Sequence, residues 1–427
     1  MDSSSFQKQL LSFLGDSPSP FHTVATMEQL LRRRKFEPLE ENSPWKLQGG
    51  RNYFLTRNQS SLIALRLSKK DPHLAPWQMA GAHTDSPCLK VKPHGEKIEQ
   101  GYLQLGVEVY GGALLAPWFD RDLSLAGRVH YQDKKGRRKS CLLDFKRPIA
   151  FIPSLAIHLF REVHENRTIN PQKELVPVLI RATDGPKDFS SILLQEIRNQ
   201  KIDAQIDKVL AHEMLCYDTQ KPALVGLQQE WLASARLDNL LSCHVILNAL
   251  LEAEPRSNVL VVCNDHEEVG SQSEVGASGP WLRRILERIH SSPEALGRSL
   301  SESWLVSCDN AHGVHPNYPE KHDPEHRPRL NEGPVIKINA NQRYATTSDT
   351  ASRFVQACQK LKLPYQYFVS RNDMPCGSTI GPLTAAKVGI ATLDVGLPTW
   401  GMHSVREIGG IRDAWSLFQI LRKIFSS

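Results

Sequence analysis

Five short segments of this 427-residue chain concentrate histidine, aspartate and glutamate. They are His83-Thr84-Asp85, Leu237-Asp238-Asn239, the segments 265–270 and 309–312, and Gly401-Met402-His403-Ser404. Four of them follow predicted strands, at 77–82, 259–263, 304–307 and 390–395, and one opens a predicted helix. Each has an ordinary explanation when taken alone, such as a helix N-cap for Asp238. Together they predict an active site at the carboxyl ends of the strands of an α/β sheet.

The residue types in these segments favour metal-assisted hydrolysis. Imidazole and carboxylate ligands without thiolates suit zinc, manganese or cobalt, and a mixed set suits a two-metal site. Two metals about 3.5–4 Å apart need a bridging carboxylate and a water between them. A further carboxylate that binds no metal must act as general base. The two histidines, the aspartates and the Glu267-Glu268 pair supply such a set, and Asp85 is expected to orient the ring of His83.

Hydrophobic periodicity predicts the elements that position these segments. Helices are predicted at 6–14, 23–34, 237–252, 281–290, 350–361 and 413–425, and further strands at 61–67, 102–109, 127–131 and 139–145. From residue 237 onward helices alternate with strands, which is typical of a mostly parallel α/β sheet. Between 93 and 233, alternating strands separated by turn signals predict a mainly β insertion. We therefore expect an α/β domain built from 1–92 and 234–427, interrupted by an inserted domain at 93–233.

Composition excludes several other classes of protein. The net charge is only +6, from 52 basic and 46 acidic residues, which does not point to nucleic acid. We expect neither a secretory signal nor a membrane span, because no apolar run approaches 18 residues. Eight scattered cysteines without paired spacing favour a reduced, cytoplasmic protein. No glycine-rich phosphate loop follows a strand, which argues against a dehydrogenase or a kinase.

Six motifs occur in one order along the chain. They are His-Thr-Asp-Ser-Pro, Arg-Leu-Asp-Asn, Glu-Glu-Val-Gly-Ser, Asp-Asn-Ala-His-Gly-Val-His-Pro-Asn-Tyr, Asn-Asp-Met-Pro-Cys-Gly-Ser-Thr-Ile-Gly-Pro and Met-His-Ser-Val-Arg-Glu. With these motifs the chain resembles the aspartyl aminopeptidase family of co-catalytic zinc metallopeptidases, from residue 17 to residue 404. The resemblance implies a zinc-peptidase domain interrupted by a dimerisation domain. It also implies two Zn²⁺ per subunit, with Mn²⁺ or Co²⁺ as substitutes, and homo-oligomers in which dimers assemble to a dodecamer.

The resemblance further implies the reaction and its residues. The enzyme would release the first residue, preferably Asp or Glu, from a peptide with a free N-terminus by means of a metal-bridged hydroxide. The implied ligands are His83, Asp238 and Asp309 for one metal and Asp238, Glu268 and His403 for the other. Glu267 would be the general base. Relatives often have asparagine where this chain has His266, a difference that could affect the neighbouring base or the loop.

Substrate selection and assembly are implied for further residues. Lys337 matches a family lysine suited to an acidic side chain, although an alternating strand could also place it at the surface. Tyr344 and the loop containing Asp373, Met374 and Gly377 are expected to line the specificity pocket. His158, which an apolar stretch would ordinarily bury, matches a histidine that reaches the active site of a neighbouring subunit. The histidines between 309 and 326 are expected to belong to a rigid loop beside the site rather than to a separate metal site.

Two other functions share these features. A dizinc deacylase or carboxypeptidase would use the same metal site on a different amide. A non-catalytic assembly protein would keep the oligomer without the activity, although the intact Glu267 and ligand set argue against it. Hydrolysis of substrates with a free or a blocked amine separates these possibilities.

Overall fold

The computed structural model describes residues 1–165, 167–186 and 188–427. The chain divides into two compact units. The first unit comprises Met1–Ser86, Pro222–Met402 and Glu407–Ser427, and the second comprises Pro87–Lys221 and His403–Arg406.

The described residues form ten α-helices and twenty strands. The helices are α1 Ser3–Gly15, α2 Pro20–Arg33, α3 Pro171–Glu174, α4 Phe189–Asn199, α5 Leu237–Glu252, α6 Trp281–Ile289, α7 Pro293–Glu302, α8 Ser348–Leu361, α9 Ile380–Thr384 and α10 Ile411–Phe425. The strands are β1 Glu37–Pro38, β2 Asn52–Arg57, β3 Ser61–Arg66, β4 Trp77–His83, β5 Cys88–Glu99, β6 Tyr102–Tyr110, β7 Leu123–Asp133, β8 Arg138–Asp144, β9 Val178–Arg181, β10 Ile206–Asp218, β11 Ala223–Val225, β12 Trp231–Ser234, β13 Asn258–Asn264, β14 Trp304–Cys308, β15 Ala311–His312, β16 Val335–Ile338, β17 Gln366–Val369, β18 Ala391–Gly396, β19 Pro398–Trp400 and β20 Glu407–Gly410.

The main sheet of the first unit determines where the site can lie. Its strand order is β1-β2-β3-β13-β4-β14-β18-β16-β17. The four neighbouring strands β13, β4, β14 and β18 run parallel, so their carboxyl ends meet at one edge. The pairs β2–β3, β3–β13 and β16–β18 are antiparallel. The predicted α/β class is confirmed, with a sheet that is parallel where the polar segments follow the strands.

Helices cover both faces of this sheet, so alternate residues of its strands belong to two different hydrophobic cores. Val259 and Val261 of β13 pack with α1, α5 and α10, whereas Leu260 and Val262 pack with α6 and α7. All seven residues of β13 are buried, which explains its continuous apolar run. A smaller sheet of the same unit has the order β11-β12-β20-β19-β15.

The second unit is built on an antiparallel sheet of order β8-β7-β10-β5-β6-β9. Its edges differ from the expected insertion at 93–233. β5 begins at Cys88 and pairs with β6, so the unit starts earlier. β12 pairs with β20 of the first unit, with Trp231 opposite Gly410, so the second unit ends at Lys221. A short return segment, His403–Arg406, also belongs to it.

The predicted helices and strands all occur, with ends shifted by a few residues, but many other elements were not predicted. The longest elements that periodicity missed are β10, β5, α4 and α7. The first half of β10 is largely exposed, so its sequence lacks a regular apolar alternation. α7 carries a clear local signal, a Ser292 N-cap followed by Pro293. Among the described residues, no helix combines the length and the apolarity needed to cross a bilayer.

Candidate metal centre and active site

His83 ends β4 and is almost completely buried, with 1% of its surface exposed. Its Nδ1 lies 3.0 Å from the carbonyl oxygen of Asp85. Because a carbonyl oxygen only accepts hydrogen bonds, Nδ1 carries a proton, and Nε2 is the nitrogen that a metal ion would use. Metal-binding histidines are oriented in this way. The geometry of His83 is therefore compatible with its predicted role as a metal ligand.

Two carboxylates face the Nε2 atom of His83. Asp238 Oδ1 lies 3.5 Å from it and Asp309 Oδ1 lies 3.6 Å from it. Both distances exceed an ordinary N–H···O hydrogen bond. Ligand atoms bound to one tetrahedral zinc at about 2.0–2.2 Å are themselves roughly 3.3–3.6 Å apart. The spacing of these three side chains therefore fits a shared zinc ion.

Glu268 completes a compact ligand group. One ligand atom each of His83, Asp238 and Glu268 lies within 4.8 Å of the others, and the described residues contain no second group of this kind with three or more members. Burial, then the negative charge of Asp238, raises the pKa of Glu268 well above its usual value, despite the opposing charge of His83. Such crowding of buried carboxylates is costly without a cation, which supports metal binding here.

Asp85 holds the loop that carries Glu267 and Glu268. Its Oδ1 accepts the backbone N–H of Glu267, and its Oδ2 accepts that of Glu268, each at 3.1 Å. Asp85 is fully buried, and its Oδ1 lies 3.4 Å from Nδ1 of His83. It thus touches both His83, a candidate metal ligand, and the loop with the candidate base, a wider role than orienting the imidazole alone.

Glu267 lies among other buried carboxylates. Burial raises its pKa to about 7, the positive charge of His83 lowers it, and the carboxylates of Asp309, Asp238 and Asp85 raise it further. His266, just before Glu267, adopts a left-handed backbone with φ of 65°. Asparagine and histidine are both enriched in that region, so the replacement keeps the loop geometry.

The backbone around Asp238 is held from two sides. Ser86 donates its hydroxyl to the carbonyl oxygen of Asp238 at 2.6 Å, and the N–H of Asp238 donates to Oε2 of Glu407 at 3.0 Å. Glu407 has only 1% of its surface exposed. It was not predicted as a site residue, although it ends the motif Met-His-Ser-Val-Arg-Glu.

His403 lies in the short return segment of the second unit. Its Nδ1 is 3.1 Å from the carbonyl oxygen of Gly112. Nδ1 is therefore protonated, as in His83. A Cβ atom on Gly112 would lie 3.3 Å from this Nδ1, so glycine permits the close approach.

Lys337 is buried rather than exposed, so the surface interpretation of this lysine is wrong. Only 2% of its side chain is exposed. Its Nζ donates to the carbonyl oxygen of Asn310 at 3.1 Å and lies 3.7 Å from Oδ2 of Asp309. It also lies 5.0 Å from the ring centre of Tyr344, a cation–π contact.

Tyr344 lines a cavity of about 310 Å³ in the first unit. Met374 and Gly377 line the same cavity, together with aromatic side chains such as Trp400. Asp373 is not among the lining residues, and its carboxylate accepts a hydrogen bond from Nε of Arg371 at 2.8 Å. The structure thus brings together three of the four residues expected here besides Lys337.

Two other histidine predictions concern surface segments. His158 is exposed on a short 3-10 turn, Ile157–Leu159, of the second unit, so it is not the core residue that an apolar stretch would suggest. His312, His315 and His322 line the cavity of the first unit. They form no separate metal group within the described residues.

Comparison with known proteins agrees with a zinc peptidase. A family model described as Aminopeptidase I zinc metalloprotease (M18) matches residues 13–425. The chain is 53% identical to a probable M18 family aminopeptidase 2 of Azotobacter vinelandii, over 98% of this chain and 97% of that protein. It is 52% identical to a protein of the same description from Pseudomonas aeruginosa, with the same coverage.

Solved structures show the same fold. The chain is similar to one in a cryo-EM structure of the Ape4 and Nbr1 complex, with 37% identity, a TM-score of 0.95, and coverage of 99% of this chain and 86% of that one. It is also similar to the dodecameric mApe1 of S. cerevisiae, with 25% identity, a TM-score of 0.86, and coverage of 99% and 96%.

The fold and the site define a zinc metallo-aminopeptidase, a hydrolase that acts on peptides. The chain belongs to the M18 family of aminopeptidases. This confirms the predicted family and favours the aminopeptidase over the deacylase, carboxypeptidase and non-catalytic alternatives.

Proposed function

We propose that this M18 aminopeptidase binds two zinc ions per subunit and releases an acidic N-terminal residue from peptides. The observation that carries the proposal is a continuous line of contacts. His83 lies 3.6 Å from Asp309, Asp309 lies 3.7 Å from Lys337, and Lys337 lies against Tyr344 at the cavity wall. The metal group is therefore linked through Lys337, which does not itself line the cavity, to Tyr344 at the cavity wall.

The proposed ligands are His83, Asp238 and Asp309 for one ion and Asp238, Glu268 and His403 for the other. Zinc supplies Lewis-acid polarisation of the scissile carbonyl and lowers the pKa of water. Mn²⁺ and Co²⁺ accept the same ligand types and are proposed as substitutes.

Glu267 is the proposed general base. It accepts a proton from the attacking water and delivers it to the nitrogen of the leaving peptide. Asp85 keeps the Glu267 backbone in place through the hydrogen bond to its N–H. The loop thus presents one carboxylate for proton transfer and the next, Glu268, for metal binding.

Lys337 is the proposed selector of an acidic side chain. A compact ammonium group suits a carboxylate as a point charge, and burial strengthens the attraction because screening by water is weak there. Met374 and Gly377 would contact the stem of the same side chain. Asp373 is proposed for this pocket only through the position of its loop, since its carboxylate already pairs with Arg371.

The decisive experiment is hydrolysis of matched p-nitroanilides of Asp, Glu, Leu, Ala and Lys, with N-acetyl-Asp-p-nitroanilide as the blocked substrate. Each is measured with added Zn²⁺, Mn²⁺ or Co²⁺, and with a chelator. We expect chelator-sensitive cleavage of the free Asp and Glu substrates. The change Glu267→Gln is expected to lower kcat by about 10²- to 10⁴-fold, because it removes the base.

The control variant is Glu274→Gln, which changes an exposed glutamate further along the same loop region and is expected to retain activity. Zinc content is measured for both variants, so that loss of the base is distinguished from loss of metal. Preferred cleavage of Leu or Ala would contradict the acidic selection by Lys337. Cleavage of only the acetylated substrate would contradict the aminopeptidase reaction itself.

We also propose that the protein forms homo-oligomers through the second unit. The mApe1 of S. cerevisiae is described as a dodecamer. In the second unit of this chain, Phe151, Leu155, Ile157 and Leu159 expose between 46% and 74% of their surfaces around His158. Such a cluster of exposed apolar side chains is typical of a subunit interface. It would bring His158 of one subunit to the active site of its neighbour, and a dodecamer assembled from such dimers is proposed.

All eight cysteines are free thiols. This supports the proposed cytoplasmic location, because a reducing compartment keeps thiols from pairing.

A further inference from the structure

Two loops of the first unit contribute the cavity residues that the proposed substrate would touch. The first loop follows β16 and contains Tyr344, and the second follows β17 and contains Met374 and Gly377. Neither loop has regular secondary structure to hold it. Their positions must therefore depend on side-chain contacts.

Both loops are attached to one buried carboxylate, that of Asp394 in β18. Oδ2 of Asp394 accepts the backbone N–H of Ala345 at 2.6 Å, directly after Tyr344. Oδ1 accepts the hydroxyl of Thr379 at 2.7 Å, two residues after Gly377. The Thr346 hydroxyl adds a third contact by accepting the N–H of Asp394 at 3.0 Å.

The carboxylate of Asp394 is closely packed by its surroundings. Asp394 has no exposed surface, and a Cβ atom on Gly381 would lie only 2.4 Å from both carboxylate oxygens. A residue larger than glycine at 381 would therefore collide with the carboxylate. A buried donor or acceptor left without its hydrogen-bond partner is costly, so these contacts hold the loops firmly.

The two loops are also linked to each other. Nε of Arg343 donates to the carbonyl oxygen of Cys376 at 3.3 Å, and the Ser378 hydroxyl donates to that of Arg343 at 3.3 Å. These contacts are exposed and weak in comparison. Asp394 is consequently the buried point at which both loops meet the sheet.

We propose that Asp394 is a positioning residue for substrate selection, because its carboxylate fixes the Tyr344 loop and the Met374–Gly377 loop relative to each other. The inference rests on the proposed role of the cavity in receiving the first side chain of the substrate. Asp394 touches no reacting atom. Its loss should therefore change selectivity and KM more than kcat.

The test uses Asp394→Asn and Thr379→Val in the full-length, zinc-loaded enzyme. Thr379→Val keeps the shape of the side chain and removes the hydroxyl that reaches Asp394. The matched control is Thr392→Val on the same strand, because the buried Thr392 hydroxyl donates to the carbonyl oxygen of Ile390, just before the strand, at 3.0 Å and not to Asp394 or either loop. Thermal unfolding and zinc content are recorded for all variants.

Two readouts are expected to change. Amide hydrogen exchange should rise about 10-fold or more over residues 339–347 and 370–379 in Asp394→Asn, and mainly over 370–379 in Thr379→Val. KM for the preferred p-nitroanilide should rise about 10-fold, with kcat within about 3-fold of wild type. Thr392→Val should resemble wild type in both.

Unchanged exchange over both segments in Asp394→Asn would overturn the inference, as would an equal loss of kcat on every substrate. The exchange measurement needs no substrate. An enzyme that cleaves none of the p-nitroanilides would refute the proposed function and leave the exchange result to decide the role of Asp394.

Discussion

At the scale of single residues, Asp85 shows how one carboxylate can serve two neighbours. Both of its oxygens accept backbone N–H groups from the Glu267-Glu268 loop, and one lies near the ring of His83. Residues that orient metal ligands typically change metal affinity 10- to 100-fold when they are replaced. Asp85 acts on a ligand and on the candidate base together.

The change Asp85→Asn should therefore weaken zinc binding by about 10- to 100-fold and also lower kcat when zinc is saturating. The new amide group cannot accept one of the two N–H groups, so the loop with Glu267 shifts. Zinc affinity is measured by competition with a chromogenic chelator. Asp188→Asn is the control, because Asp188 accepts the N–H of Ser191 at 2.8 Å in the second unit. Wild-type zinc affinity and kcat in Asp85→Asn would refute this role.

At the scale of elements, the site depends on the packing of α5, which brings Asp238 to the end of the sheet. Its residues from Leu237 to Leu250 are all buried, so this stretch of the helix has no solvent-exposed face. One buried residue, His244, packs its ring 5.0 Å from that of Phe6 and 5.4 Å from that of Phe13 of α1. In the described part of the chain, neither ring nitrogen of His244 has a hydrogen-bond partner.

His244 should make the stability of the protein depend on pH. Burial lowers its pKa to about 3, so between about pH 6.5 and 3 the unfolded chain binds a proton that the folded chain does not. His244 therefore does not lower the free energy of unfolding above about pH 6.5, and it lowers that free energy progressively as the pH falls from 6.5 toward 3. At pH 5 this residue lowers the free energy of unfolding by about 2 kcal/mol relative to pH 8.

The change His244→Leu should reduce the stability difference between pH 8 and pH 5 by about 2 kcal/mol. Urea unfolding at both pH values measures it, and the comparison between pH values cancels any change in packing. His94→Leu, at an exposed histidine, is the control and should leave the difference unaltered. If His244→Leu shows the same pH dependence as wild type, the buried imidazole is not its source.

At the scale of the whole molecule, a variant in the exposed apolar segment of the second unit tests whether activity depends on assembly. Leu159→Glu places a charge on a side chain that is 74% exposed, so it should dissociate the dimer without unfolding the subunit. Sedimentation velocity measures the assembly and circular dichroism the fold. We expect monomers with low activity, because each active site would lose the His158 of its neighbour.

The change His158→Ala should keep the oligomer and lower kcat, whereas His94→Ala in the same unit should do neither. Full kcat in intact His158→Ala oligomers would refute a catalytic role for His158. Fully active Leu159→Glu monomers would show that each subunit works alone.

Much of the fold and the site could be predicted from local sequence. Apolar periodicity located strands such as β4, β13 and β14, and the polar residues that follow them named His83, Glu267 and Asp309 as one site. This succeeds because period and burial are linked along a strand or helix. The carboxyl ends of neighbouring parallel strands then bring the following residues together.

The remaining features depend on contacts between residues far apart in the chain. The N–H of Asp238 meets Glu407 across 169 positions, and Asp394 meets Ala345 across 49. The alternating pattern of its strand predicts that Lys337 is exposed. In the structure, Lys337 is instead buried beside Asp309. The sequence by itself determined which residue types and elements form a metallo-aminopeptidase, because ligand chemistry and periodicity are local. Only the tertiary structure decided which buried carboxylate holds which loop, because such partners are chosen by packing in three dimensions.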